Sequence, residues 1–302
     1  MKTIVRSLLT SALLVLAAAP MQAELMYATN GFSIVRFDSA TPGSVMSSVI
    51  TGLGANEFIV GIDLRPATGT VYGIGSSSRL YTINPLTGVA TPVGSAGAFT
   101  LSGNQFGVDF NPTVDRIRLV SDTEQSLRIN PNDGSLAGTD SALTPAGNVV
   151  AAAYDRNDLN GATPTTLFGI DSAAGTLVRI GGPDGVPSPN LGAITTIGSL
   201  GLGTNLAGTI GFDISGLTGV AYATVSGFFT ANAEDGVVAT TRLYTINLAN
   251  GQATLIGTVG GNSALAFSGL TAAAIPEPST YALLGAGALL FLLRGRLRRV
   301  RS

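Results

Sequence analysis

The chain has 302 residues, enough for one large domain or two ordinary ones, and it contains no Cys and no His. Disulfides, thiolate chemistry and imidazole acid–base catalysis are therefore excluded. Residues 24–275 hold nine arginines against 17 acidic residues, a formal charge of −8, which argues against nucleic acid as a partner.

The first 23 residues have the three parts of a secretory signal. Lys2 and Arg6 form a charged start, residues 8–19 are a short apolar run, and the segment ends on the small residue Ala23. The apolar run is too short for a comfortable bilayer span. We therefore predict a signal peptide over residues 1–23 that signal peptidase removes after Ala23.

The body, residues 24–273, contains similar units in succession. Each unit starts with an apolar strand that has a central Gly or Ala, followed by an alternating strand, a strand that ends in a turn, and a short last strand. Residues 25–52 supply the last three strands of a unit and lack the first. The first strands are predicted at 58–66, 105–112, 149–157 and 209–216, with a fifth at 264–271.

The two incomplete ends complement each other, as they do in a ring that is closed by N- and C-terminal strands. The sequence therefore predicts an all-β fold, a β-propeller of five four-stranded blades. A β-sandwich would not explain five similar units in order, and a β-solenoid would need shorter, more regular coils. Glycines inside the first strands, Gly61, Gly107 and Gly211, predict close backbone approach at the centre.

Three aspartates, Asp63, Asp109 and Asp213, recur at one position of the first strand, which lines the central channel of a propeller. One hypothesis is that they bind a cation or sugar hydroxyls in the channel. The alternative is that each accepts backbone N–H groups between blades, and their repetition favours it. The third unit has Ala153 at this position and the fifth has Ala266, so the predicted ring is incomplete.

Two further motifs are weaker candidates. Residues 155–161 are similar to a calcium loop, but the spacing before Gly161 is off by one residue and no Glu closes the coordination sphere, which favours a solvated loop. Four arginines are candidates for contacts with acidic glycans, although single arginines beside acids more often form surface ion pairs. They are Arg65, Arg116, Arg118 and Arg128.

The last segment, residues 274–302, contains Pro276-Glu277-Pro278, an apolar stretch at 281–293 and an arginine-rich end. The apolar stretch is short against the ~20 residues of a full span, but Tyr281 and the arginines can lengthen it. We predict a transmembrane helix in the inner membrane, with the arginines cytoplasmic and the body outside.

This order of parts resembles the PEP-CTERM sorting signal of exported proteins in Gram-negative bacteria that make extracellular polysaccharide. The resemblance implies that an exosortase-type membrane protease recognises Pro276, Glu277 and Pro278 and removes the tail. It also implies a location at the cell surface or in the extracellular matrix, with an association with exopolysaccharide or biofilm. The body, through residues 107–134 and 151–180, resembles a propeller-like family of exported bacterial domains of unknown function.

The sequence shows no catalytic constellation, so the leading hypothesis is a non-enzymatic binding or structural module without a cofactor. The alternative is a propeller hydrolase or lyase that uses Asp63, Asp109 and Asp213, with Ca²⁺ as an optional partner. It requires the three carboxylates to lie within a few ångströms of one another, with perturbed pKa values.

Overall fold

The computed structural model describes residues 23–157, 163–206, 208–230, 237–261 and 265–273, without the side chains of 228–230, 237 and 238. In these residues, twenty β-strands form five antiparallel four-stranded sheets. In chain order the strands are β1 (Leu25–Thr29), β2 (Ser33–Asp38), β3 (Val45–Val49), β4 (Ile59–Arg65), β5 (Thr70–Gly75), β6 (Arg79–Ile83), β7 (Ala90–Val93), β8 (Phe106–Asn111), β9 (Arg116–Ser121), β10 (Ser126–Ile129), β11 (Leu136–Thr139), β12 (Val149–Tyr154), β13 (Leu167–Asp171), β14 (Thr176–Ile180), β15 (Ile194–Ser199), β16 (Ile210–Ile214), β17 (Ala221–Thr230), β18 (Val237–Ile246), β19 (Ala253–Val259) and β20 (Gly269–Ala273).

The five sheets are the blades of a β-propeller, which confirms the predicted fold class and blade count. Blade 1 is β4–β7, blade 2 is β8–β11, blade 3 is β12–β15 and blade 4 is β16–β19, while blade 5 combines β20 with β1, β2 and β3. The inner strands β4, β8, β12, β16 and β20 contact one another around the axis.

Blade 5 closes the ring by pairing the two ends of the body. In this blade β20 runs antiparallel to β1, with Ala273 opposite Leu25 and Gly269 opposite Thr29. The prediction of such a closure is confirmed, but the predicted closing strand, 264–271, was placed too early. The residue at the ring position is Thr271 rather than Ala266.

The inner strand β20 begins with a glycine for a steric reason. A Cβ atom on Gly269 would lie 2.7 Å from the backbone nitrogen of Ile62 in β4, so this point of the inner strand requires glycine. Gly269 precedes Thr271 by two residues, as Gly61 precedes Asp63.

Close backbone approach also explains Gly107, as predicted, whereas the close neighbour of Gly61 is a side chain. A Cβ atom on Gly107 would lie 2.5 Å from the backbone nitrogen of Ala152 in blade 3. At Gly61 the nearest atom would be a side-chain carbon of Val108, at 2.6 Å. Away from the axis, buried apolar side chains of neighbouring blades pack together, and their burial stabilises the ring.

Two interruptions of the repeat leave the blades intact. The insertion at 228–240 lengthens the hairpin of blade 4, where β17 and β18 remain paired out to Thr230 and Val237. The loop at 181–192 in blade 3 contains two short 3-10 helices, Pro183–Gly185 and Pro189–Leu191.

The predicted sorting segments lie largely outside the described residues. This applies to signal-peptide residues 1–22, to Pro276, Glu277 and Pro278, and to the apolar stretch 281–293. Within the described part of the chain, no helix has the length and apolar character needed to span a membrane.

Candidate functional site

The three recurring aspartates converge near the propeller axis. Asp63, Asp109 and Asp213 lie on β4, β8 and β16, and each offers a carboxylate oxygen within 4.8 Å of the other two. All three side chains are buried, with at most 1% of their surface exposed. The structure therefore brings together the residues that the sequence placed at one ring position.

Each of these carboxylates accepts a backbone N–H from the inner strand of the next blade. Asp63 accepts from Phe110 at 2.7 Å, and Asp109 accepts from Tyr154 at 2.8 Å. Asp213 repeats the contact with the N–H of Ala272, at 2.6 Å. The donor always directly follows the ring position of its own strand, so the aspartates link successive blades by one rule.

The remaining two blade boundaries show the limits of that rule. Thr271 of blade 5 accepts the N–H of Leu64 in blade 1 through its hydroxyl, at 3.2 Å. Ala153 of blade 3 has no side-chain acceptor, and the N–H of Ile214 in blade 4 is bound instead by its own neighbour, Asp213, at 2.7 Å. Side chains thus link four of the five blade boundaries. This supports the alternative that the aspartates accept backbone N–H groups between blades.

Burial makes this cluster electrostatically costly. Burial raises the pKa of Asp109 well above its usual range, and the nearby carboxylates of Asp63 and Asp213 raise it further. Burial and the charge of Asp213 likewise raise the pKa of Asp63. Burial raises the pKa of Asp213 to about 6, although hydrogen bonds from backbone N–H groups oppose the shift.

The cluster has limited capacity for a metal ion. Both oxygens of Asp63 accept backbone N–H groups, and so do both oxygens of Asp213. Asp109 keeps one oxygen without a hydrogen-bond partner among the described residues. Five of the six carboxylate oxygens already accept a backbone N–H, so few free lone pairs remain toward the six to eight ligands that Ca²⁺ takes. The raised pKa values of the three carboxyl groups reflect the cost of burying like charges together.

A second polar cluster lies between blades 2 and 3, at the ends of the inner strands β8 and β12. The side chains of this cluster surround a cavity with a volume of about 470 Å³. We refer to it as the arginine cavity. Its lining residues are Asn111, Thr113, Val114, Arg116, Arg118, Arg128, Tyr154, Pro164, Thr165, Asp184, Gly185, Ser188, Pro189 and Asn190.

Strand register brings the three cavity arginines to one face of blade 2. Arg116 and Arg118 are two residues apart on β9, and Arg118 lies directly opposite Arg128 on β10. Like charges in that relation repel unless a counter-charge is present. Asp140, next to the end of β11, supplies it by forming ion pairs with both Arg118 and Arg128.

Arg118 forms the rigid floor of the arginine cavity. Only 2% of its surface is exposed, and its guanidinium donates to Ser126 at 2.9 Å and to Asn190 at 2.6 Å, besides Asp140. No sequence pattern marks Asp140 or Asn190, because each contacts Arg118 from a distant part of the chain.

The fourth predicted arginine, Arg65, does not line the arginine cavity. Its guanidinium pairs with Asp115 and donates to Asn132 at 2.9 Å and to Tyr72 at 3.2 Å. Arg65 therefore forms an ion pair within the protein, as the alternative to a glycan contact requires.

The similarity of residues 155–161 to a calcium loop gains no support from the described part of the segment. Asp155 accepts the N–H of Thr166 at 2.6 Å and pairs with Arg156, so its carboxylate is engaged locally. Residues 158–162 lie outside the described chain.

The opposite mouth of the channel has an aromatic depression that the sequence analysis did not find. It has a volume of about 220 Å³ and includes Phe32 and Phe58, whose ring centroids are 5.8 Å apart. Both rings are exposed. Phe58 directly precedes the inner strand β4, whereas Phe32 precedes β2, so the two share no position in the repeat that could have predicted the pair.

Two family models match the sequence. One, described as Domain of unknown function (DUF4394), matches residues 33–271, and the other, a PEP-CTERM protein-sorting motif, matches residues 274–299. The second match confirms the resemblance of the tail. It implies processing by an exosortase-type protease and export across the inner membrane to the cell surface. A search of curated proteins finds no match.

Several solved structures are similar at low identity. A structural genomics protein of unknown function from Bacteroides thetaiotaomicron is 13% identical with a TM-score of 0.45, over 82% of this chain and 64% of that one. PorZ, a surface component of the type-IX secretion system of Porphyromonas gingivalis, is 14% identical with a TM-score of 0.40, over 84% and 37%. Glutaminyl cyclase from Myxococcus xanthus is 13% identical with a TM-score of 0.39, over 75% and 96%. This chain spans less than two thirds of the first two, and none of the likenesses carries an inference about activity.

Proposed function

This chain belongs to the family described as Domain of unknown function (DUF4394) and carries a PEP-CTERM sorting motif, and from this premise we propose that its propeller is a non-enzymatic binding module of the cell surface or extracellular matrix. The proposal includes an association with extracellular polysaccharide.

The observation that carries the proposal is the contrast between the two polar clusters. The axial carboxylates are sealed from solvent and accept backbone N–H groups, whereas the arginine cavity is large enough for a small ligand. Its one acidic lining residue, Asp184, forms an ion pair with Arg156. Guanidinium, amide and hydroxyl groups in this arrangement are suited to holding a ligand.

The proposed route to the surface uses both ends of the chain. Signal peptidase cuts after Ala23, residues 281–293 hold the chain transiently in the inner membrane, and an exosortase-type protease cuts at Pro276-Glu277-Pro278. The body then remains at the surface or in the matrix.

The alternative, a hydrolase or lyase, would use Asp63, Asp109 and Asp213, with Ca²⁺ as an optional partner. Their convergence and raised pKa values favour it. Their burial favours the binding module, because a polysaccharide substrate cannot reach side chains that are at most 1% exposed.

A glycan array with purified residues 24–273 tests the proposal. This fragment contains all twenty strands of the ring, so it retains every described blade. We expect binding to at least one polysaccharide class, with no release of products. Absence of binding to every polysaccharide, including the one made by the bacterium that produces this protein, would contradict the proposal and favour a purely structural role. Release of shortened or unsaturated sugars would favour the enzyme.

A further inference from the structure

The arginine cavity has more positive charge than its own carboxylates balance. Arg118 and Arg128 share the single carboxylate of Asp140. Arg116 forms no ion pair within the described chain, and its guanidinium donates to the backbone carbonyl oxygens of Asp115 at 2.8 Å and Val114 at 3.4 Å. The cavity is thus a cationic site on a body whose overall charge is negative.

The unused donors suit a carboxylate. The hydrogen bonds of Arg116 use one terminal nitrogen, Nη1, so Nη2 and Nε have no acceptor among the described residues. Arg128 uses Nε and Nη2 on Asp140, which leaves its Nη1. A guanidinium presents these N–H groups in a planar fork that matches the two oxygens of a carboxylate.

The neutral part of the lining suits a sugar. Asn111, Ser188 and Asn190 carry amide and hydroxyl groups that can hydrogen-bond ring hydroxyls, and the exposed Pro164 offers apolar surface to ring C–H groups. The hydroxyl of Thr165 is buried and donates to Asp155. The buried contacts of Arg118 hold the floor in place, so Arg118 itself needs no ordering on binding.

We infer that the arginine cavity binds a carboxylate-bearing saccharide, such as a uronic acid unit of an acidic polysaccharide. The sugar carboxylate meets Arg116 and Arg128, and the ring hydroxyls meet Asn111 and Asn190. The inference rests on the proposed function and names the ligand class for its site.

Isothermal titration calorimetry with residues 24–273 tests the inference, using oligogalacturonate and its methyl ester as probes. Esterification removes the charge of the carboxylate and keeps the sugar ring. We expect the acid to bind, and we expect the affinity for the ester to be lower by about tenfold or more, because the ester lacks the charge-assisted hydrogen bonds. Binding of the acid should also weaken as salt concentration rises.

Two variants and a control assign the binding to the cavity. Arg116→Gln should weaken binding of the acid by about tenfold or more, and Arg116→Lys should recover only part of it, because lysine keeps the charge and loses the fork. Arg36→Gln, which removes an arginine of blade 5 far from the cavity, should leave binding unchanged. A thermal melt of each variant checks that it folds.

The outcomes separate this inference from the proposed function. Equal binding of acid and ester, or an unchanged affinity of folded Arg116→Gln, would overturn the inference. If the array then still showed binding to neutral glycans, the binding module would stand with another ligand. Absence of binding to acidic and neutral glycans alike would overturn both.

Discussion

The carboxylate of Glu24 accepts a hydrogen bond from the hydroxyl of Tyr222 at 3.0 Å, although 198 residues separate the two along the chain. Glu24 precedes β1 in blade 5, and Tyr222 lies on β17 in blade 4. The hydroxyls of Ser215 and Thr218 donate to the same buried carboxylate. One side chain therefore fastens the start of the body to the blade beside the closing seam.

Replacing Glu24 with alanine should destabilise the ring. The change removes the acceptor of the buried hydroxyls of Ser215 and Tyr222, whereas the exposed Thr218 can turn to water. An unsatisfied buried donor costs roughly 1–3 kcal/mol, so we expect a loss of about 3 kcal/mol in the free energy of unfolding. Urea denaturation of residues 24–273 measures it. Glu24→Gln keeps one acceptor oxygen and should cost less, and Ser95→Ala at an exposed site should cost nothing measurable. Equal midpoints for Glu24→Ala and Ser95→Ala would show that the contact does not contribute.

Replacing Asp109 with asparagine should stabilise the protein at neutral pH. The amide oxygen can still accept the N–H of Tyr154, and the amide NH₂ replaces the oxygen that has no partner. The substitution removes a carboxyl group that must either carry a buried charge or take up a proton, because its pKa is raised by burial and by the other carboxylates. We expect a gain of about 2 kcal/mol in the free energy of unfolding at about pH 7.5.

The gain from Asp109→Asn should disappear in acid. The folded protein holds protons on the axial aspartates at pH values where the unfolded chain has lost them, so their contribution to stability is largest in acid and falls as pH rises. The contribution of Asp213 to stability falls between pH 3.8, the usual pKa of an aspartate, and about pH 6, its pKa in the folded protein. Denaturation curves at several pH values measure the difference between wild type and variant. A gain that did not change with pH would contradict the charge argument.

Asp63→Asn is the matched control for Asp109→Asn. Both oxygens of Asp63 accept backbone N–H groups, from Leu64 and Phe110 at 2.7 Å each. An asparagine has only one acceptor oxygen, so either the N–H of Phe110 loses its acceptor or that of Leu64 keeps only its longer bond to Thr271, at 3.2 Å. We expect this variant to be less stable than Asp109→Asn at every pH. The opposite order would mean that charge alone governs the cluster.

Alanine at the inner-strand glycines should destabilise according to what the new Cβ atom meets. At Gly107 it meets the backbone of β12 at 2.5 Å, which cannot move without shifting a blade, and we expect a loss of about 3 kcal/mol. At Gly61 it meets the side chain of Val108 at 2.6 Å, which can move, and we expect about 1 kcal/mol. Gly43→Ala, with its nearest atom at 3.9 Å, is the control. Thermal unfolding ranks the three variants, and equal losses at Gly61 and Gly107 would contradict this order.

The fold could be predicted because four of the five blades repeat one local rule, while blade 3 has Ala151 and Ala153 at the two positions. A glycine lets the inner strand approach its neighbour, and two residues later a short side-chain oxygen accepts an N–H from the next blade. The closing strand was misplaced because the rule was sought as Gly and Asp, whereas Gly269 and Thr271 perform the same two roles. A threonine hydroxyl and an aspartate carboxylate are different in sequence and equivalent as acceptors.

The site was predictable only in part, because its contacts join distant parts of the chain. The sequence named Arg116, Arg118 and Arg128 as candidates. It could not show that Asp140 holds two of them together, or that Asn190 binds Arg118 from 72 residues away. Such pairings depend on how neighbouring blades meet, which a single sequence does not reveal.

Changing Pro276, Glu277 and Pro278 together to alanine should leave the tail uncleaved. Two prolines cannot continue a helix, so we expect the native motif to be extended and open to a protease beside the membrane, whereas three alanines favour helix. We expect the variant to stay in the inner-membrane fraction at a larger mass than wild type, measured by fractionation and mass spectrometry of the mature C-terminus. Ser279→Ala with Thr280→Ala, directly after the motif, is the matched control and should be processed normally. An unchanged C-terminus and location for the triple variant would mean that the tail acts only as an anchor, because exosortase-type processing depends on the motif itself.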